Sequence, residues 1–197
     1  MKRALILSLV VVGVFALIQC TDSKAPSVHE AASAQPTHQD TVQRGEYLVN
    51  AIGCDDCHSP KRMGAQGPEI IPELRLSGYP GDRPFDNMAL QSLTGGWYLL
   101  NVDLTCAVGP WGASFSANLT SDETGVGNWT FDQFKKALKE GKYKGLDSGR
   151  TLLPPMPWQY YGKLNDDDLA AIFVYLKSIT PVRNVPPPPI PPDQLKK

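Results

Sequence analysis

The sequence predicts a mainly α domain with long irregular connections, and three observations carry that prediction. Three segments, 41–53, 130–141 and 165–179, combine helical apolar spacing with recognisable ends. Between the first and second, residues 59–116 are punctuated by Gly and Pro so often that no helix of useful length survives. The 197 residues hold 17 glycines and 18 prolines, above average usage yet short of a low-complexity chain. Lys and Arg number 19 against 20 Asp and Glu, so no basic footprint for nucleic acid is present. Four cysteines exclude a disulfide-dense scaffold, and 3 histidines exclude most all-histidine metal sites.

The first segment, 1–19, reads as an address. Lys2 and Arg3 form a positive start, and the 15 residues from Ala4 to Ile18 contain only Ser8 as a polar group. That run is shorter than the roughly 20 residues a membrane span needs and has the length of a signal-peptide core. Leu17-Ile18-Gln19-Cys20 resembles a bacterial lipoprotein cleavage box, which would make Cys20 a lipidated first residue; Gln19 departs from the small residue of that pattern. An uncleaved anchor helix is the alternative. Residues 20–42 are rich in Ser, Ala, Pro, Thr and Gln with no apolar period, the composition of a flexible tether. His29 and His38 lie in that stretch and read as solvated linker residues.

The helices follow in chain order. In Thr41–Gly53, Val42, Tyr47, Leu48 and Ile52 form the apolar stripe. Gly45 interrupts it at a cost of about 1 kcal/mol relative to alanine, a cost kept where another helix must approach closely. Leu93–Leu104 has the pattern of a short strand pair around Gly95-Gly96. Thr130 and Gln133 form a capping-box pattern, Phe131, Phe134, Ala137 and Leu138 make one apolar face, and Gly141 ends the helix. Asn165 is a good cap for the next, Asp166, Asp167 and Asp168 suit its positive end, and Leu169, Ile172, Phe173, Leu176 and Ile179 share one face. Pro181 stops it, and 184–197 is a proline-rich arm, extended and polyproline-like from Val185 to Pro192. Such an arm stands in solvent, wraps the domain surface, or offers an SH3-type contact.

The chemistry lies in Cys54-Asp55-Asp56-Cys57-His58. Cys-x-x-Cys-His is the attachment signature of haem c. One helical turn sets the two sulfurs to reach the two vinyl groups of one porphyrin edge, and His58 follows as proximal iron ligand. Covalent attachment takes place outside the bacterial cytoplasm, so the export signal and the motif agree. Three rivals compete with it. A structural zinc site wants four Cys or His ligands, usually as two spaced pairs, and Cys106 has no paired neighbour. A redox pair would sit in a βαβ context. A plain Cys54–Cys57 disulfide leaves His58 a coincidence.

A six-coordinate haem needs a second axial ligand, and methionine is the natural alternative, because no other histidine remains in the folded region. Met63 is close to His58 in the chain, Met88 sits in an irregular polar stretch, and Met156 lies in Leu153-Pro154-Pro155-Met156-Pro157-Trp158. Prolines fix the backbone around Met156 and can hold its thioether toward iron at low entropic cost. His/Met ligation raises the reduction potential.

Together these residues resemble a class I c-type cytochrome carrying one haem. They are similar in particular to periplasmic cytochrome subunits of bacterial dehydrogenases, through Ser116-Ala117-Asn118-Leu119-Thr120, Gly125-Val126-Gly127-Asn128-Trp129-Thr130 and the Met156 loop. The resemblance implies a cytochrome domain over 43–183, its first and last helices crossing near Gly45 and Tyr47 on one side and Phe173 or Tyr175 on the other. It implies that Gly67-Pro68 supplies the carbonyl accepting the His58 ring N–H. Trp111, Trp129, Tyr143, Arg150 and Trp158 are candidate partners for haem propionates, with Arg150 the charged one. Cys106 reads as a small buried thiol. The separation of His58 from Met156 exceeds that of compact members, and the extra length, 60–115, is expected to form a lobe over one haem edge.

The function expected is one-electron transfer, not bond-making catalysis: an exported, periplasmic or membrane-anchored carrier between a dehydrogenase donor and an oxidase or cytochrome acceptor. The alternatives are a haem sensor or peroxidase-like enzyme with a displaceable sixth ligand, and a non-haem metal or thiol redox protein.

Overall fold

A computed structural model describes residues 35–85 and 96–195. The signal segment, Cys20, His29 and Met88 lie outside those residues, as do residues 93–95 of the strand pair expected around Gly95-Gly96. The chain divides after Gln35, and the unit described below runs from Pro36 onward.

Helix α1, His38–Ala51, starts three residues earlier than the apolar stripe indicates. Thr37 and Asp40 account for it. The Thr37 side chain accepts from the Asp40 N–H at 3.1 Å, and Asp40 accepts from the Thr37 N–H at 2.9 Å, a reciprocal cap. His38 is therefore an exposed first-turn residue, not part of a linker. Ile52 ends α1, and Gly53, with φ 75°, turns the chain into α2, Cys54–His58. A left-handed φ at this junction favours glycine.

Helices α3, Phe131–Glu140, and α5, Asp166–Ser178, have the caps that the sequence names: Thr130 with Gln133, and Asn165 with Asp168. Gly141, φ 66°, closes α3. Between them a short α4, Trp158–Tyr161, packs on α3.

The main core is the α1–α5 contact. Leu48 and Val49 meet Leu169, Ala171, Ile172, Tyr175 and Leu176, with Phe134 and Val126 against the same cluster. A Cβ on Gly45 would lie 2.0 Å from the Ala171 carbonyl oxygen and 2.7 Å from the Tyr175 Cβ. The expected crossing glycine is thus in place, and Tyr175 is the aromatic beside it. Tyr47 is not part of the crossing: it is 61% exposed, with the Arg44 guanidinium over its ring.

The described part of 60–115 carries more sheet than the one strand pair expected there. Strands β1, Lys61–Gly64, and β2, Gly67–Ile70, form an antiparallel hairpin. Strands β3, Leu99–Leu100, β4, Cys106–Gly109, and β5, Gly112–Phe115, form a second antiparallel sheet in that order. Its inner residues Cys106, Val108 and Ala113 pack with Tyr79 and Leu195 in a second core. Cys106 is a buried free thiol.

The proline arm lies on the domain. Ile190 bridges to Ala113, and Leu195 is only 6% exposed.

Candidate functional site

The end of α1 and the turn at Gly53 aim α2 into a cavity of about 270 Å³. Cys54, Cys57 and His58 line it from one side; Tyr143, Arg150 and the chain from Leu152 to Pro157, including Met156, line it from another. Trp129, Phe134, Ile172 and Leu176 contribute apolar wall from the helical core. Leu104, Cys106, Ala107, Ser114 and Phe115 bring β4, β5 and the residues beside them to the same space.

His58 and Asp55 of the motif are each held by a neighbour. His58 Nδ1 lies 2.7 Å from the Ala117 carbonyl oxygen. A carbonyl only accepts, so Nδ1 carries the proton. Burial holds the His58 pKa below its ordinary value, so the ring is neutral at pH 7 and Nε2 keeps a free lone pair. Among the described residues Nε2 has no hydrogen-bond partner. This is the tautomer a metal-ligating histidine needs. Asp55 is gripped by Arg75 (Nη2–Oδ2 2.6 Å), which also donates to Tyr175 at 2.5 Å and Asn50 at 2.7 Å, tying α1, α2 and α5 together. Lys61 Nζ lies within 3.2 Å of the carbonyl oxygens of Asp55, Asp56, Ser59 and Asp103. That places positive charge at the C-terminal end of α2, where the helix dipole favours it, and pins the lobe to the motif.

The two motif cysteines are free thiols, so no disulfide joins them. Burial, with the neighbouring Asp55 carboxylate, pushes the Cys54 thiol up to about 12, and burial also raises Cys57. Such thiols are not the low-pKa nucleophiles of redox pairs. Among the described residues, no group of three or more His, Cys, Asp or Glu side chains is placed to hold a metal ion. The donor set lining the cavity is instead two thiols, an imidazole and a thioether, in apolar surroundings. That set fits a covalently attached haem.

Three expected neighbours stand elsewhere. Pro68 sits in β2, paired with Met63, and Ala117 takes the His58 N–H in its place. Pro68 is not part of the cavity lining. Trp111, at the tip of the β4–β5 hairpin, donates to Ser114 Oγ at 3.2 Å and stacks near Tyr98, outside the cavity. Trp158 packs against Gly141 and is not part of the lining. Arg150 does reach the cavity, with its guanidinium 4.2 Å from the Tyr143 ring centroid. The Pro154–Pro155 peptide before Met156 is cis, and the Pro154 carbonyl accepts from Ser114 Oγ at 2.7 Å, joining the methionine loop to the lobe.

Sequence reasoning missed Ala117, whose role is a backbone carbonyl with no side-chain signal. It also missed Tyr161, which lines the cavity and donates to the Ile52 carbonyl at 3.1 Å, and Pro186, Pro187 and Pro189.

No protein-family model matches the chain. The chain is 30% identical over 151 residues to the fructose dehydrogenase cytochrome subunit of Gluconobacter japonicus, covering 73% of this chain and 24% of that protein. It is 32% identical over 143 residues to the gluconate 2-dehydrogenase cytochrome c subunit of Pantoea cypripedii, covering 72% of this chain and 24% of that protein. It is 29% identical over 154 residues to the cytochrome c subunit of the quinone alcohol dehydrogenase of Gluconobacter oxydans, covering 77% of this chain and 24% of that protein. The chain therefore spans about a quarter of the length of these curated relatives. Among the described residues, no helix is long and apolar enough to cross a membrane.

Proposed function

We propose that this chain, whose homologues are cytochrome c subunits of bacterial dehydrogenases, is a one-electron carrier or electron-transfer subunit holding one haem c through Cys54 and Cys57. When bound, the group supplies an iron that alternates between ferric and ferrous states without any substrate bond being made or broken. His58 and Met156 would hold that iron, and both line the same cavity.

The observation that carries this reading is the His58–Ala117 hydrogen bond. It fixes the tautomer with Nε2 unprotonated and the ring orientation, two conditions for ligation. The apolar residues around the cavity keep water and competing ligands out. His58, held by its bond to Ala117, and Met156, in a proline-braced loop, would change little between oxidation states, which keeps the reorganisation attending electron transfer small.

In the same reading the chain is exported and works in the periplasm or tethered to a membrane by lipid on Cys20. It takes electrons from a dehydrogenase and passes them to a respiratory oxidase or another cytochrome. The sensor or peroxidase-like reading differs in one respect: its sixth position opens.

Mass spectrometry of the mature chain tests the attachment, with one covalent haem mass expected. The same spectrum reports cleavage before Cys20 and any lipid on it. An unmodified mass overturns the haem reading. A ferric optical spectrum that is high-spin and lacks the weak red band of thioether–iron ligation removes Met156 and favours the open-site reading.

A further inference from the structure

The proline arm is fastened at both ends and crosses the cavity between its fastenings. At the near end every polar group of Asn184 is engaged. Its side chain accepts from the Gly81 N–H at 2.8 Å and donates to the Ser77 and Tyr79 carbonyls at 2.7 and 2.8 Å; its own N–H donates to Thr124 Oγ1 at 3.1 Å, and its carbonyl accepts from Asn118 Nδ2 at 3.3 Å. At the far end Ile190 exchanges two backbone bonds with Ala113, at 2.8 and 3.0 Å. Two glycines make room for this path. A Cβ on Gly81 would lie 2.3 Å from the Val185 oxygen, and one on Gly112, 1.9 Å from the Ile190 oxygen. Leu195 then buries itself in the second core.

Between these anchors, Val185, Pro186, Pro187 and Pro189 line the same cavity as His58 and Met156. Proline suits that place. It has no N–H to leave unsatisfied against an apolar ligand, and its fixed φ keeps the span extended without internal hydrogen bonds. Val185 is 64% exposed while its proline neighbours are half-buried, so the span has one face to solvent and one to the cavity.

We propose that residues 185–189 are a fixed outer wall of the haem pocket, a strap that keeps water from one side of the group and thereby raises its reduction potential. This rests on the cavity being the haem site. The physical sense is direct. The ferric centre carries one more positive charge than the ferrous, so a drier, less polarisable surrounding disfavours the oxidised form. The strap also makes potential depend on residues more than a hundred positions from the attachment motif.

The test uses the full holoprotein, a chain ending at Arg183, and a full-length Pro186→Ser/Pro187→Ser variant that leaves both anchors in place. Covalent haem is checked by mass, and the reduced fraction is read against a redox dye at fixed poise. The strap predicts that the ratio of reduced to oxidised protein falls about tenfold in the truncated chain, about 59 mV for one electron, and by a smaller factor of the same sign in the double-serine variant. The red thioether band persists in both. Equal ratios for parent and double-serine variant, with haem attached in each, overturn the strap; this variant decides the matter if the truncated chain does not fold. A parent chain without covalent haem overturns the function proposed above and the strap with it.

Discussion

Replacing Gly45 by alanine sets two effects of opposite sign against each other. By helix propensity alone, alanine in the middle of α1 stabilises by about 1 kcal/mol. The structure opposes that gain. The new Cβ would lie 2.0 Å from the Ala171 carbonyl oxygen, 2.6 Å from its carbon and 2.7 Å from the Tyr175 Cβ. Two of these atoms are α5 backbone, so no side-chain rotation relieves the contact, and α1 and α5 must separate by about 1 Å to restore ordinary contact distances. A gap of 0.5–1 Å forfeits roughly a quarter to a half of the dispersion well. The side chains that meet across this contact are Leu48 and Val49 from one helix and Ile172, Tyr175 and Leu176 from the other, all buried. At roughly 2 kcal/mol of burial each, that fraction comes to about 2.5–5 kcal/mol, and subtracting the propensity gain leaves a net loss of about 1.5–4 kcal/mol. Urea unfolding followed by far-UV circular dichroism measures it. A midpoint shifted down with an unchanged slope is expected. A variant as stable as the parent, or more so, would refute the close-crossing argument and leave propensity in charge.

Further expectations concern the pocket and its braces. Met156→Ala should keep the covalent haem mass, lose the red thioether band and lower the reduction potential; an unchanged spectrum moves the distal ligand elsewhere. Arg75→Ala removes the brace joining Asn50, Asp55 and Tyr175. With Arg75 partly exposed, a loss of about 1–2 kcal/mol is expected, seen as a melting temperature about 2–8 °C lower, and a parent-like melting curve contradicts it. Asp103 gives a pH signature. Burial alone would push its carboxyl up, but hydrogen bonds from Thr105 and Arg83 outweigh that and hold it below its ordinary value. Its folded pKa is lower than its unfolded one, so its contribution is fully present above the unfolded value near 4 and is lost as pH falls through the folded value. Asp103→Asn should therefore be less stable than the parent at pH 7, with the difference shrinking below about pH 4; a gap that stays constant from pH 7 to 3 rejects this.

How much of this was legible follows from what kind of atom does the work. Helices α3 and α5 were readable because Thr130, Gln133, Asn165 and Gly141 are side-chain or glycine signals at fixed offsets. The start of α1 was misjudged only because Thr37 and Asp40, a valid cap, stood in a stretch whose composition looked like a linker. Gly45 announced a close approach, and the Ala171 backbone is what approaches. Cys54, Cys57, His58, Met156 and Arg150 were picked out by type and spacing, and the fold brings all five to one cavity. The failures share a cause. Ala117 acts through a backbone oxygen, which carries no side-chain signal. Trp111 and Trp158 were chosen because buried aromatics need partners, but Trp111 found Ser114 and Trp158 found the bare backbone at Gly141. In 60–115 the sequence signals only a strand pair over Leu93–Leu104, of which Leu99–Leu100 is β3; the other strands are four residues long, too short to show a period.

The α1–α5 crossing joins positions 45 and 171, so the domain's first and last long helices are partners and everything between them is one large loop. Closing a loop of about 126 residues costs about 4 kcal/mol of chain entropy in the simplest treatment, and once closed the ring no longer depends on every link being intact. A single protease cut in the β-lobe would leave one fragment bearing Cys54–His58 and another bearing Met156. Both fragments would retain the helix that grips the other, so a nicked molecule should still run as one particle with its pocket assembled.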